Sequence, residues 1–131
     1  MKNLFKQGDI KTFTRTVRQE DVATFDSGEV HPVYATFCIA RDAEWACRLF
    51  VLDMKEGDEE GIGTFISVNH LSSALVGEEV TFEAVITKIE KNEIICSYKA
   101  ICGSRLIAEG ENKQKILKKE RLEMLFSQIN T

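Results

Sequence analysis

Alternation of apolar and polar positions dominates the second half of the chain. In "EEVTFEAVITKIE", Val80, Phe82, Ala84 and Ile86 alternate with Thr81, Glu83 and Thr87. In the next segment Ile94, Cys96, Tyr98, Ala100 and Cys102 share one parity. A period of two is the pattern of a strand with one buried face. "EKNE" between these segments reads as a hairpin turn, and "GS" at 103–104 as a further turn or bulge. "RLIAEGENKQKIL" follows as a last strand, and "KKERLEMLFSQI" as a short amphipathic helix. Upstream, Ile62, Thr64, Ile66, Val68 and His70 share a parity against Phe65, Ser67 and Asn69. This predicts a strand running through residue 70. If it stays regular, His70 points to the face that packs on a helix.

Residues 33–57 follow a different period. At 100° per residue, Ile39, Ala43, Ala46, Cys47, Phe50 and Met54 fall on one wide apolar arc. Trp45, Leu49, Val51 and Leu52 are apolar on the remaining sides, so the spacing predicts one long, mostly buried helix, closed by Gly57 and an acidic loop. Before it, "GDIKTFTRTV" (8–17) reads as a first strand, "RQEDVATF" as a short helical turn and "DSGEVHP" as a loop. Strand, long helix, then several antiparallel strands is an α+β arrangement, with a sheet curled around a single central helix. Its open edges favour pairing across a two-fold axis.

Composition narrows the class. The 131 residues suit one compact domain, 1–131, and 44% hydrophobic with 29% charged residues excludes a disordered or fibrous chain. A net charge of −4 argues against a nucleic-acid partner. No apolar run reaches signal-peptide or membrane-spanning length, so a cytoplasmic setting without membrane contact is expected. Cys38, Cys47, Cys96 and Cys102 form no CxxC pair, and the two histidines complete no zinc pattern, so no metal is expected. Cys47, Cys96 and Cys102 sit in apolar patterning, as buried thiols do. Cys38, near the helix start, leaves a reactive thiol open.

Three residue types carry candidate chemistry. Glu44 has Arg41 three residues before it and Arg48 four after, which allows an exposed i,i+4 ion pair of about 0.3–0.5 kcal/mol. Its flanks, Ala40, Ala43, Trp45 and Cys47, are small or apolar, and a carboxylate in such surroundings needs a partner. Thr36 reads as a helix cap, and equally as part of an oxyanion site made with helix-start amides. A helix unbroken from Thr36 to Glu44 separates the two by about 12 Å, so either it starts after Phe37 or they act at different ends of a substrate. His70 is either a solvated strand-end residue or the partner of a helix carboxylate. Lys113, Lys115, Lys118, Lys119 and Arg121 are interleaved with acids, as on a solvated helix face.

The stretches "VYAT", "EWAC" and "GTFISVNH" occur with 8 residues from Thr36 to Glu44 and 26 from Glu44 to His70. In words and intervals together the chain resembles hotdog-fold thioesterases of the fluoroacetyl-CoA thioesterase branch. The resemblance implies a hotdog fold, hydrolysis of a short acyl-CoA or related thioester, and a homodimer with sites near the subunit interface. It implies Thr36, Glu44 and His70 as the catalytic group, Gly63 beside the substrate, and no cofactor apart from the coenzyme A of the substrate itself. The chain departs from the pattern at Asn69, where threonine is expected, in "LSSALVG", and in lacking a histidine–glutamate–arginine run in the last strand. Two other readings stand beside it. Asp26 and His31 have the interval of a hotdog hydratase signature, although Pro32 follows the histidine instead of lying inside the interval. A non-catalytic acyl-ligand-binding module fits the same fold.

Overall fold

A computed structural model describes residues 1–130, and the side chains of all of these except Val30 and Asn130. Eight strands and two helices follow in the order β1 (Ile10–Thr16), β2 (Val22–Phe25), β3 (Gly28–Tyr34), α1 (Thr36–Met54), β4 (Glu59–Ile66), β5 (Asn69–His70), β6 (Glu79–Glu90), β7 (Glu93–Cys102), β8 (Arg105–Lys118) and α2 (Lys119–Ser127). A single 3₁₀ turn, Gln19–Asp21, precedes β2. The main sheet has the order β1–β6–β7–β8–β4, every neighbour antiparallel, with β5 also paired to β8. It curls around α1, which touches all five of its main strands. This is the hotdog arrangement, one long helix wrapped by an antiparallel sheet.

The alternating segments form the floor as their periodicity requires. Val80, Phe82, Ala84 and Ile86 of β6 and Ile94, Cys96, Tyr98 and Ala100 of β7 are all buried against the helix residues Ile39, Ala43, Ala46, Cys47, Phe50 and Met54. Burying a large aliphatic or aromatic side chain contributes about 1.5–3 kcal/mol, so this two-layer core carries the fold.

Three expectations change. The helix spans 36–54 and not 33–57: Val33 and Tyr34 belong to β3, and Lys55 turns extended. Its outer side is open, with Trp45 and Leu52 42% and 38% exposed, because the sheet's two edges do not close over it. The stretch "DSGEVHP" is no loop. Gly28, at φ +106°, turns β2 into β3, and Pro32 is tolerated because a two-stranded ribbon consists only of edges.

The third change concerns β4. Its register on β8 slips between Gly63 and Phe65, so Thr64 is an extra residue. Before the slip, Gly61 and Gly63 face the helix: a Cβ on Gly61 would collide with Val51 and lie 3.2 Å from Arg48. After it, Phe65 sits opposite Lys113 on the outside, with the Lys113 ammonium 5.3 Å from its ring centroid. Ile66 turns inward opposite Asn112, and Val68 packs on the core. The shared parity of 62 to 70 therefore holds only beyond the bulge. Regular strand pairing is interrupted at Ser67–Val68, where Ser67 N–H still donates to the Glu111 carbonyl of β8 (2.9 Å), before β5 resumes it.

Candidate active site

Thr36 is the first residue of α1, which settles the start of the helix, and Ala35 is its cap. The threonine side chain does not cap the backbone; its Oγ1 lies 2.8 Å from His70 Nδ1. β5 delivers that histidine by pairing His70 with Ala108 of β8. Opposed residues share a face, and Ala108 is buried, so the imidazole points inward. Its Nε2 is buried and has no hydrogen-bond partner among the described residues. The Thr36–His70 pair forms one wall of a cavity of about 460 Å³, whose lining also includes His31, Pro32, Tyr34 and Ser73. Both histidines of the chain thus line one cavity. Asp26 stays in the turn between β2 and β3.

Glu44 lies two turns further along α1. Neither neighbouring arginine pairs with it. Arg48 donates to Glu60 (2.8 Å) and to the Gly61 carbonyl (3.2 Å), while Arg41 donates to Asp21 and Asp42. Glu44 Oε1 instead accepts from Asn112 Nδ2 at 3.3 Å. The carboxylate rests on Gly63: a Cβ there would sit 3.0 Å from Glu44 Cδ and closer still to Oε1. Glu44 also lines a cleft of about 370 Å³ with Phe13, Arg15, Arg41, Trp45 and Arg48.

Asn112 and Gln114 escape a reading by hydropathy. They occupy inward positions of β8, each 1% exposed, with Ile116 continuing the same parity. Two polar residues on the inward parity of a strand are the signal that marks them. Gln114 Nε2 donates to Asn112 Oδ1 (2.8 Å) and to the Glu44 carbonyl (3.3 Å), and Asn112 Nδ2 also donates to the Phe65 carbonyl (2.9 Å).

Within one chain, then, the sequence candidates fall into two groups. Thr36 and His70 meet directly, and Glu44 meets Gly63 and Asn112. No hydrogen bond among the described residues joins the two groups, as the helical rise of about 12 Å between Thr36 and Glu44 requires.

A charged network braces the start of the helix. Asp42, 1% exposed, accepts from Arg15 (3.1 and 3.2 Å), Arg41 (2.9 and 3.0 Å) and the Tyr34 hydroxyl. Burial alone would raise its carboxyl pKa, but these donors hold it below the usual range. Asp21 behaves likewise, with Arg18 and Arg41 outweighing its burial. Burial and the Asp42 carboxylate together push the Tyr34 phenol far up. The Cys38 thiol is buried and its pKa raised, chiefly by burial, which disfavours the reactive thiolate. Lys113, Lys115 and Lys118 belong to β8 and not to a helix. Among the described residues no group of three His, Cys, Asp or Glu is placed to hold a metal ion, and no helix is long and apolar enough to cross a membrane.

Residues 17–120 match the family described as FlK, fluoroacetyl-CoA-specific thioesterase. A thioesterase superfamily member from Thermus thermophilus is 35% identical, with a TM-score of 0.92 over 98% of this chain and 95% of that one. The fluoroacetyl-CoA thioesterase FlK is 22% identical, with a TM-score of 0.88 over 96% and 98%. A variant of it in complex with acetyl-CoA, 21% identical, gives 0.87 over 97% and 100%. Among curated proteins none matches the chain.

Proposed function

Because the chain belongs to the fluoroacetyl-CoA-specific thioesterase family, we propose that it hydrolyses the thioester of a short acyl-coenzyme A, or of a protein-bound pantetheine, to a carboxylic acid and a free thiol. Coenzyme A enters as part of the substrate, and the bound acetyl-CoA of a structural neighbour supports a short acyl group. The observation that carries the reading is the Thr36 Oγ1–His70 Nδ1 hydrogen bond, which joins residues of a helix start and a strand end at a cavity wall.

The chemistry follows from these positions. A thioester carbonyl needs a nucleophile or an activated water, and donors for the charge that develops on its oxygen. A thiolate leaves readily, so a strong acid is dispensable. Glu44 acts as nucleophile or as base for water. Thr36, with the unpaired amides of the first turn of α1, stabilises the oxyanion. His70, its Nδ1 held by Thr36, presents Nε2 to the reacting groups. Gly63 keeps the strand backbone low enough for the carboxylate to reach the substrate. A second copy of the chain, paired along the open edge of β4, brings the Thr36–His70 group of one subunit to the Glu44 of the other.

Free thiol release from a panel of short acyl-CoAs tests this. Glu44→Gln is expected to keep the fold and lose about 10²–10⁴ in kcat, the usual size for a general base. An unchanged rate in that variant removes Glu44 from the chemistry. No release by the natural chain on any thioester, with ligand protection against thermal unfolding, would leave a binding module instead.

A further inference from the structure

Glu44 has one side-chain donor among the described residues, and that donor is itself constrained. An asparagine amide can be turned either way by shape alone, so its partners decide which end is which. Here Gln114 Nε2 donates to Asn112 Oδ1 at 2.8 Å. That bond turns Nδ2 toward the two acceptors it meets, the Phe65 carbonyl at 2.9 Å and Glu44 Oε1 at 3.3 Å. Both Nδ2 protons are thereby used.

Gln114 is only half satisfied where it sits. Its Nε2 has two acceptors, Asn112 Oδ1 and the Glu44 carbonyl, but its own Oε1 is buried with no partner among the described residues. A buried unmade acceptor costs about 1–3 kcal/mol, and a leucine would move that cost to Asn112 Oδ1, which would lose its Gln114 donor. The charged groups around Glu44 do not substitute for the amides. Arg15 and Arg41 are bound to Asp42, Arg48 to Glu60, and Lys113 of β8 lies outside over Phe65.

We propose that Asn112, with its orientation locked by Gln114, is the positioning residue for Glu44 and commits Oε2 as the reacting oxygen. Asn112 offers only N–H to Oε1, so Oε1 must accept. Gly63 hems the same oxygen, since a Cβ there would approach Oε1 more closely than Oε2, which it would meet at 3.4 Å. Oε2 has no hydrogen bond to a described residue. As base it takes the proton of the water that attacks the thioester carbon. As nucleophile it bonds to that carbon while the carbon–sulfur bond breaks and the thiolate leaves, water then cleaving the anhydride to free the acid and the carboxylate. This rests on the thioesterase reading above, with Glu44 as base or nucleophile.

Asn112→Asp tests it with little change of shape. The new carboxyl still accepts from Gln114 but sets an acidic oxygen against Oε1 in place of a donor. A like charge at that distance disfavours ionisation of Glu44. The acidic limb of the kcat profile is expected to move up by about one pH unit or more, with kcat at pH 7 lowered about 10–100-fold and KM changed less than about threefold. Asn112→Ser, which restores a donor, should return the limb toward its natural position. Carbon-13 NMR titration of the glutamate side chains, with the Glu44 signal assigned by its loss in Glu44→Gln, should show the same displacement in Asn112→Asp. If that variant does not fold, Gln114→Leu is read in both ways and should lower kcat about 3–10-fold with the Glu44 titration displaced. A Glu44 signal and an acidic limb that stay in place, with kcat within about threefold, overturn the proposal. Failure of the natural chain to release any thiol counts against the thioesterase reading alone, because the NMR titration still decides whether Asn112 governs Glu44.

Discussion

Asp42 is kept ionised by three groups that arrive from three elements: Arg15 of β1, Arg41 of α1 and Tyr34 of β3. Arg41 extends the network to Asp21, which Arg18 also holds. Both carboxyls have folded-state pKa values below those of the unfolded chain, through charged and hydrogen-bonding donors that outweigh burial. The sign follows directly. Their contribution is complete above the unfolded carboxyl pKa, near 4, and is lost as the pH falls from there through the lower folded values. The urea midpoint is therefore expected to drop steeply between about pH 4 and pH 2. Asp42→Asn should flatten that slope by up to about 1.4 kcal/mol per pH unit. A slope unchanged by the substitution would show that the network does not titrate with folding. Tyr34→Phe, which deletes a buried hydroxyl bonded to a charge, should cost about 1.5–3 kcal/mol at pH 7 in the same assay.

β4 shows how an element is shaped by what its neighbour needs. Gly61 and Gly63 allow the strand to lie against α1 at the level of Val51 and Glu44, where a side chain has no room. Gly61→Ala is expected to destabilise by about 1–3 kcal/mol, the cost of overpacking, read from the urea midpoint; no loss would mean that the helix shifts freely. The same glycines explain why the strand was misleading in sequence. They add nothing to a hydropathy pattern, so the even positions appeared to face the helix throughout, whereas the bulge at Thr64 brings them inward only from Ile66 on. β6 and β7 were legible because their inward positions are all apolar and their outward ones largely polar or less buried. β3 was not, because its turn-rich composition disguises a ribbon with two edges. Asn112 and Gln114 were passed over for a related reason: polar residues in an alternating strand read as outward. Thr36, Glu44 and His70 were nameable from the spacing of three short words, but spacing does not say which of them meet within one chain.

At the scale of the whole molecule, the sheet ends on two unpaired edges, β1 and β4, and Phe65 and Ile66 on β4 are 45% and 37% exposed. Trp45 of α1 is exposed as well. Pairing of two copies along the β4 edge, as proposed above, would cover apolar surface and remove an open row of backbone groups. If each site takes Thr36 and His70 from one subunit and Glu44 from the other, two inactive variants complement each other. Thr36→Ala mixed with Glu44→Gln, after subunit exchange, should recover about a quarter of the natural rate: half of the dimers are mixed, and each holds one intact site. No recovery, with exchange confirmed by mass, would place all three residues in one subunit.

The break at Ser67–Val68 divides the labour of the fold. On one side, the carboxylate is set by the sheet interior, through Asn112, Gln114 and the glycines of β4. On the other, the cavity beside Thr36 is walled largely by β3 and the ends of neighbouring elements, where Tyr34, Ala35 and Ala23 belong to the core but His31 and Pro32 are exposed. Substitutions at the exposed His31 and Pro32 can therefore reshape that wall while the setting of the Glu44 carboxylate stays untouched. Under the thioesterase reading proposed above, the acyl group accepted could then change at this wall while Glu44 and its amide partners persist, provided that Thr36 and His70, which share the wall, are kept.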